Sequence, residues 1–335
     1  MTMAPAVPSV QSVPRFVGEG RIVRWDRPVP RPGPGELLLA VRANALCGTD
    51  RAQLTQGSDV TPGHEAAGEV VAAGSGTSAS HGTLGVVYLM DFCGSCRGCA
   101  EGATNRCSAK RADMGFTHDG ALGRYELVHE TNFFPVGTDV AADEATLLLD
   151  VMGTTAHALR RAQAVRPRIE SLAIAGAGPV GLGMVAMARL TLGPDVPIVI
   201  ADVVPYRLEL AEHLGARAVR LPAELPQVDV AIDTAGRSAS RRMLLDALAT
   251  GGVLVCVGHG EGLDLEVSTD LIAPERAVIG SEYFRYDQLA ANLELLRENR
   301  SYLGQIITHR FGIEELEAAY RVFLGGESGK VVVTQ

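Results

Sequence analysis

The 335-residue chain has little positive charge and no long run of basic residues. Its 30 Lys and Arg residues are outnumbered by 39 Asp and Glu residues, which gives a formal net charge of −9. A surface that binds nucleic acid or an anionic bilayer needs a concentrated basic patch. We therefore expect neither a nucleic acid nor a membrane as a partner.

The sequence also lacks a pattern typical of a secretory signal or a membrane span. Residues 1–14 contain no Lys or Arg and are interrupted by three prolines, whereas a signal needs a basic start and an unbroken apolar segment. The longest uncharged apolar run, residues 172–188, contains four glycines and a proline. These favour a strand, a tight turn and a buried helix over a bilayer span. We expect residues 1–14 to form a flexible extension and the protein to be cytoplasmic.

Charged residues make up only 21% of the chain and hydrophobic residues 47%, which is typical of a globular α/β protein. The length predicts two domains of ordinary size. Short strands separated by Pro and Gly in residues 16–42 predict a β-rich first domain. From residue 171 onward, apolar strands alternate with helical segments, which predicts a doubly wound parallel sheet. The short connection 221–228 contains two prolines, which predicts that one crossover helix is reduced.

The segment 46–70 contains the residue types that bind a catalytic metal. Cys47 is followed seventeen positions later by His64 and then by Glu65. Thiolate and imidazole are ligands that Zn²⁺ prefers, and a catalytic zinc keeps one coordination position open. The hydroxyl of Thr49 could pass on a proton from a bound alcohol, and Asp50 could accept the second ring N–H of the histidine. Taken alone, these residues could also be a buried thiol and a core histidine.

A second group of cysteines has the spacing C-x2-C-x2-C-x7-C: Cys93, Cys96, Cys99 and Cys107. Four thiolates within fifteen residues are typical of a closed structural zinc site. The alternative is a pair of disulfides, which would require an oxidising compartment that nothing else in the sequence indicates. The remaining cysteine, Cys256, lies in an apolar run and is interpreted as a buried strand residue.

A glycine-rich turn opens the second domain. Gly176, Gly178 and Gly181 form G-x-G-x-x-G between an apolar strand and a helix, and Asp202 ends the next strand. This context is typical of a dinucleotide site, in which the helix N-terminus binds the pyrophosphate and the acid binds the ribose. The acid favours NAD over NADP. The predicted coenzyme-binding residues are Gly176, Gly178, Pro179, Val180, Gly181, Asp202 and Arg207.

The sequences CGTD at residues 47–50 and GHEAAGEV at residues 63–70 resemble those of the zinc-dependent medium-chain dehydrogenase/reductase family. The resemblance covers residues 15–335 and extends to all four clustered cysteines, which are expected to form a local zinc lobe, residues 93–107. It implies a GroES-like β-rich catalytic domain, residues 15–151 and 286–335, and a Rossmann doubly wound parallel-sheet domain, residues 152–285. It also implies hydride transfer between an alcohol, polyol or sugar hydroxyl and NAD(P).

The resemblance implies that Asp150 is the third ligand of the catalytic zinc. An Asp at the start of a helix would otherwise be interpreted as an N-cap. The expected catalytic zinc ligands are Cys47, His64 and Asp150, with Glu65 as a transient ligand in place of water. With the four-cysteine site, this makes two Zn²⁺ per chain.

The family's proton relay is only partly present. Thr49 would receive the alcohol proton, but Arg51 and Ala52 occupy positions where many members have a histidine. The proton would therefore leave through water or another group.

Two alternatives to a dehydrogenase remain: a biosynthetic aldehyde or ketone reductase, and a non-catalytic nucleotide-binding protein with the same fold. A dehydrogenase would act on a small molecule, as a homodimer or homotetramer.

Overall fold

The computed structural model describes residues 7–335, which form two compact units. The first unit contains residues 7–149, His309–Arg321 and Val331–Gln335. The second contains Asp150–Thr308 and Val322–Lys330. The contact clustering divides the chain differently from the expected domains. Residues 150–151, 286–308 and 322–330, which the sequence assigns to the catalytic domain, cluster with the second unit.

Strands dominate the described chain up to Pro135, and longer helices alternate with strands after it. The strands are β1 (Val10–Phe16), β2 (Ile22–Pro28), β3 (Glu36–Ala45), β4 (Ala66–Ala73), β5 (Leu84–Val87), β6 (Met90–Asp91), β7 (Ala112–Asp113), β8 (Tyr125–His129), β9 (Phe133–Pro135), β10 (Leu172–Ala175), β11 (Ile198–Asp202), β12 (Arg217–Arg220), β13 (Val228–Asp233), β14 (Leu248–Cys256), β15 (Ala277–Gly280), β16 (Ile307–Gly312) and β17 (Lys330–Thr334). The α-helices are α1 (Asp50–Gln56), α2 (Arg97–Ala100), α3 (Ala142–Ala145), α4 (Thr155–Val165), α5 (Pro179–Leu192), α6 (Pro205–His213), α7 (Ser238–Asp246), α8 (Leu289–Glu298), α9 (Arg300–Leu303) and α10 (Leu316–Gly325).

The N-terminal part of the described chain is a strand. β1 pairs with β2 in an antiparallel hairpin from Val10 opposite Pro28 to Phe16 opposite Ile22. Residues 10–14 of the expected flexible extension therefore belong to regular structure, and residues 1–6 lie outside the described residues. A proline in this segment is compatible with pairing because a two-stranded hairpin consists only of edge strands.

A seven-stranded sheet organises the first unit, in the order β16-β17-β3-β4-β5-β9, with β8 also pairing with β3. In the central strand β3, the burial of successive side chains alternates little because both faces of the strand are covered. Leu37, Leu38 and Leu39 are each at most 2% exposed. Burial of apolar surface stabilises the folded chain by about 25 cal/mol for each Å² removed from water. This sheet is the β-rich body that the sequence predicts.

A six-stranded parallel sheet organises the second unit, in the order β12-β11-β10-β13-β14-β15. Its central strand β10 consists of Leu172, Ala173, Ile174 and Ala175, all fully buried, as expected for a parallel strand covered on both faces. The strand order reverses between β10 and β13, and this predicts a ligand site at the carboxyl ends of these strands. β12 and β13 have no α-helix between them, as the prolines of that connection predict. No helix in the described residues is long and apolar enough to cross a bilayer.

Candidate active site and metal centres

The four cysteines predicted to bind a structural zinc lie together between β6 and β7. The Sγ atom of Cys96 is 3.6 Å from that of Cys99 and 3.8 Å from that of Cys107. The Sγ atoms of Cys93 and Cys99 are 4.0 Å apart. A disulfide would bring two sulfurs to about 2.05 Å, whereas thiolates around one zinc at about 2.3 Å lie about 3.8 Å apart. The cysteines are unbridged, and their spacing fits a closed tetrahedral site.

Backbone donors in the lobe favour thiolates. The N–H groups of Ser95 and Cys96 lie 3.4 and 3.3 Å from the Cys93 sulfur, and these contacts lower the pKa of Cys93. The N–H groups of Cys99 and Ser108 lower the pKa of Cys96 to about 5. Partial desolvation raises the pKa of Cys99 to about 12. The pKa values of neighbouring thiols are thus shifted in opposite directions, so that some thiols ionise more readily than others. A bound divalent cation would favour the thiolate form of all four.

Strand pairing brings Cys47 and His64 together although they are seventeen positions apart. β3 ends at Ala45 and β4 begins at Ala66, and the backbone N–H of Ala45 donates to the carbonyl of Glu65 at 3.0 Å. The residues just after β3 and just before β4 therefore lie side by side. Cys47 and His64 are 8% and 4% exposed, and Glu65 is fully buried.

Asp50, the first residue of α1, connects the two loops. One carboxylate oxygen, Oδ2, accepts the backbone N–H of Cys47 at 3.1 Å. The other, Oδ1, lies 3.3 Å from Nδ1 of His64. A proton on Nδ1 leaves the Nε2 lone pair of His64 available for a metal, which is the tautomer that ligating histidines commonly adopt. Asp50 therefore lies close enough to His64 for the orienting role that stays a prediction from the sequence.

Sequence reasoning missed one member of this network, Tyr320 of α10. Its hydroxyl donates to Oδ2 of Asp50 at 3.0 Å, across 270 positions of the chain. Burial, followed by the charge of Asp50, raises the pKa of Tyr320 well above its usual value, so the hydroxyl stays protonated and donates. No motif surrounds Tyr320. Its only sequence signal is that a polar hydroxyl lies on the apolar side of an amphipathic helix.

Thr49 lies on the metal-facing side of His64. Its Oγ1 is 3.4 Å from Nε2 of the histidine. The ring of Phe116 packs against the same imidazole with its centroid 4.8 Å away. Arg51 and Ala52, which follow at the start of α1, are exposed.

Asp150 is the residue directly after Leu149, where the first segment of the first unit ends. It begins a π-helical turn, Asp150–Thr154, directly before α4. One ligand atom from each of Cys47, His64, Glu65 and Asp150 lies within 4.8 Å of the other three. One sulfur, one imidazole nitrogen and two carboxylates form a donor set that suits Zn²⁺. The residues present therefore fit the ion.

The glycine motif has the geometry that a dinucleotide site needs. Gly176 follows β10 with φ +95°, a conformation that favours glycine, and it turns the chain towards α5. A Cβ on Gly181 would collide with the carbonyl of Gly176, so only glycine lets the helix approach the strand end so closely. Gly178 precedes Pro179 at the helix N-terminus, where backbone N–H groups and the helix dipole favour an anion.

Asp202 ends β11 beside this turn. Its Oδ2 accepts the N–H of Ala177 at 2.6 Å, and its Oδ1 accepts those of Val203 and Val204 at 2.7 and 2.9 Å. A carboxylate offers about four acceptor positions, so one remains for a hydroxyl of the ribose that the sequence predicts Asp202 to bind. The sequence did not indicate these backbone contacts because they depend on how the turns fold.

Arg207 reaches back from α6 towards the glycine turn. Its Nε donates to the carbonyl of Ser328 at 3.3 Å, and its Nη1 would lie 4.0 Å from a Cβ on Gly178. The guanidinium therefore lies near the predicted pyrophosphate position, within reach of a charge on the coenzyme.

The site and the parallel sheet together define a class, a metal-dependent oxidoreductase that uses a dinucleotide. Comparison with known proteins agrees with this class. Residues 33–138 match the family model described as the alcohol dehydrogenase GroES-like domain, and residues 179–298 match zinc-binding dehydrogenase. The chain belongs to the zinc-dependent medium-chain dehydrogenase/reductase family. It is an oxidoreductase that transfers hydride between a hydroxyl and NAD(P). These matches confirm the family, the fold and the reaction that the sequence predicts.

Three similar proteins are one relative in sequence and two in structure, of which the less identical structure bears on the fold alone. An L-threonine 3-dehydrogenase of Shewanella pealeana is 30% identical, over 92% of this chain and 94% of its own. The acetophenone reductase of Geotrichum candidum in complex with NAD is 24% identical with a TM-score of 0.86, and 99% of each chain is covered. A structure from Sinorhizobium meliloti 1021 bound to NADP is 26% identical with a TM-score of 0.83, covering 98% of this chain and 100% of its own.

Proposed function

We propose that this oxidoreductase acts on a secondary alcohol, or in reverse on its ketone, at a zinc ion held by Cys47, His64 and Asp150. The clustering of their ligand atoms within 4.8 Å of one another carries the assignment of the site. Similarity to L-threonine 3-dehydrogenases, whose named substrate has a secondary hydroxyl at carbon 3, supports the substrate class.

Glu65 decides how the substrate reaches the proposed site. A catalytic zinc site has three protein ligands and one open position, but four donors are gathered here. As carboxylates, Asp150 and Glu65 would add two negative charges to that of a Cys47 thiolate, which together exceed the charge of one Zn²⁺. Cys47, His64 and Asp150 would hold the ion, as the family resemblance implies, and Glu65 would be the donor that leaves a position for the substrate.

The surrounding side chains move and hold protons. Asp50 keeps the proton of His64 on Nδ1 and so keeps Nε2 directed at the ion. Thr49, whose Oγ1 lies 3.4 Å from that Nε2, accepts the proton of the substrate hydroxyl and passes its own proton on. Thr49 is exposed, and Arg51 and Ala52 occupy the positions where many members of the family have a histidine, so the proton would leave through water or another group. When bound, zinc supplies Lewis-acid polarisation and the nicotinamide supplies the hydride acceptor or donor.

A substrate panel tests the proposed function. Purified protein with NAD⁺ should oxidise L-threonine, 2,3-butanediol or another secondary alcohol faster than ethanol, as measured by the absorbance of NADH. Faster turnover of primary alcohols would contradict the substrate class. Efficient ketone reduction with negligible alcohol oxidation would instead favour the biosynthetic reductase. The absence of turnover in both directions across the panel would favour a nucleotide-binding role.

The coenzyme preference provides a separate prediction that depends on Asp202. We expect NAD⁺ to exceed NADP⁺ at least about tenfold in kcat/KM, or about 1.4 kcal/mol, because a 2′-phosphate would meet the carboxylate of Asp202 in a site with little water. Replacing Asp202 by Ser should narrow this ratio, chiefly by weakening NAD⁺. Initial rates at subsaturating coenzyme measure the NAD⁺ to NADP⁺ ratio of kcat/KM in the wild type and in Asp202→Ser.

The matched control is Asp229→Ser. Asp229 is buried like Asp202, but it lies near the start of β13, at the edge of the sheet away from the predicted coenzyme, and pairs with Arg166 at 2.8 Å. Its replacement should leave the coenzyme ratio unchanged. Equal or better wild-type turnover with NADP⁺ would show that Arg207, rather than Asp202, controls the selectivity.

A further inference from the structure

A buried ion pair lies at the carboxyl edge of the parallel sheet, outside the residues assigned so far. Asp233, the last residue of β13, is fully buried, and Arg241 of α7 is 9% exposed. The guanidinium Nε donates to Oδ2 of Asp233 at 2.8 Å. A buried charge is tolerated only when it is paired and hydrogen-bonded, so this pair constrains whatever it contacts.

The pair joins two loops, one after β13 and one after β14. The Oδ1 atom of Asp233 accepts the N–H groups of Ala235 and Gly236 at 3.0 and 2.9 Å, which shapes the first loop. The two Nη atoms of Arg241 donate to backbone carbonyls of the second loop, to Gly258 at 2.5 Å and to Glu261. All three nitrogens of one guanidinium are therefore committed.

Backbone contacts bring the two loops against each other. The N–H groups of Val257 and Gly258 donate to the carbonyl of Asp233, each at 2.9 Å. The N–H of Glu261 donates to the carbonyl of Gly236 at 2.8 Å. A Cβ on Gly236 would collide with the carbonyl of His259. The loops have no room to shift independently.

The first loop also contacts the glycine turn. The hydroxyl of Thr234 has a single proton to donate, and its Oγ1 lies 2.9 Å from the carbonyl oxygen of Ala175 and 2.8 Å from that of Gly176. The backbone N–H of Thr234 donates to the carbonyl of Ala175 at 2.9 Å as well. The ion pair is thus connected through Thr234 to the turn where the coenzyme phosphates are expected to bind.

The sheet order indicates which half of the coenzyme these loops would face. The pyrophosphate is expected at the start of α5, after β10, and the adenosine ribose at Asp202 on β11. β11 lies on one side of β10, whereas β13 and β14 lie on the other. The nicotinamide half of a bound coenzyme would therefore be expected over the carboxyl ends of β13 and β14.

We propose that Asp233 and Arg241 are positioning residues that fix the two loops under the nicotinamide half of the coenzyme. The proposal rests on the coenzyme site described above. The pair itself does not touch the coenzyme. It holds the loop backbones in the binding conformation before the coenzyme arrives, so that less ordering is required on binding.

The test compares a whole coenzyme with its adenosine part in the intact protein. Isothermal titration of Arg241→Met with NADH should give a Kd at least about tenfold above that of the wild type. The Kd for ADP, which lacks the nicotinamide half, should change less than about twofold. A purely structural defect would weaken both ligands together, so the difference between them isolates the positioning role.

The matched control is Arg242→Met, one position along the same helix. Arg242 pairs with Asp246 and Asp270 instead of the loops, so removing its charge should leave both affinities unchanged. Arg241→Lys keeps the charge but lacks the planar set of donors. It should weaken NADH selectively but less than Arg241→Met, and it decides the question if the methionine variant does not fold.

Unchanged NADH affinity in Arg241→Lys and in folded Arg241→Met would overturn the proposal. Equal weakening of NADH and ADP would also overturn it, while leaving the coenzyme site in place. Wild-type protein that binds neither ligand would overturn the coenzyme site itself, and the inference with it.

Discussion

Replacing Asp150 by Asn is expected to remove nearly all turnover while the chain stays folded. An Asn caps a helix as well as an Asp does, but its neutral amide is a far weaker zinc ligand than a carboxylate. We expect kcat/KM to fall at least about 1,000-fold, or about 4 kcal/mol, because the Lewis-acid contribution is lost with the ion. Zinc content should fall towards the single ion of the four-cysteine lobe, and NADH affinity should be retained.

Two further variants sharpen this test. Cys47→Ala should produce the same loss, because it removes the thiolate from the same cluster. Asp143→Asn is the matched control: Asp143 pairs with Arg310 at 2.7 Å and is not in the cluster, so turnover should be unchanged. Wild-type turnover and zinc content in Asp150→Asn would identify Asp150 as a helix cap and reject the ligand set.

Replacing Cys99 by Ser is expected to release one zinc ion and destabilise the protein. A closed site contributes its binding free energy to folding, and the lobe has no extended hydrophobic interior to compensate for its loss. We expect the midpoint of thermal unfolding to fall by at least about 5 °C. Calorimetry and metal analysis measure the two effects. Some activity should survive at low temperature, because the lobe cysteines are separate from the Cys47 cluster.

Cys256→Ser is the matched control for the lobe. Cys256 is a partly buried cysteine at the end of β14, outside both clusters, so the same substitution there should keep both zinc ions. If Cys99→Ser kept two zinc ions and the wild-type midpoint, the four-cysteine site would be wrong.

Features that are close in the sequence were predictable. The four lobe cysteines lie within fifteen residues, and the glycine turn immediately follows its strand. In both cases the chain itself holds the residues close together, so spacing and residue type are sufficient evidence. The alternation of strands and helices similarly predicted the parallel sheet, because a right-handed crossover between parallel strands allows few arrangements.

Features that depend on distant packing were not predictable. The apolar spacing of residues 289–296 predicts a helix, and the structure contains α8 there, but periodicity does not say which unit the apolar face joins. Tyr320 meets Asp50 only because residues 309–321 return to the first unit late in the chain. The contacts of Arg241 depend on two loops that meet after separate strands. In each case a residue's role is set by a partner that no local pattern identifies.

The separation of Asp50 and Tyr320 along the sequence has a consequence for the order in which the site forms during synthesis. At about 5–20 residues per second on the ribosome, the 270 positions between them take on the order of tens of seconds to synthesise. The loop that contains Cys47 also waits for the final strand, because the N–H of Leu46 donates to the carbonyl of Val331 at 2.9 Å. The nascent chain therefore exposes a thiol and an imidazole long before their supports exist. A metal ion that met the chain at that stage would find a site without these two contacts, which form only after residues 320 and 331 have been made.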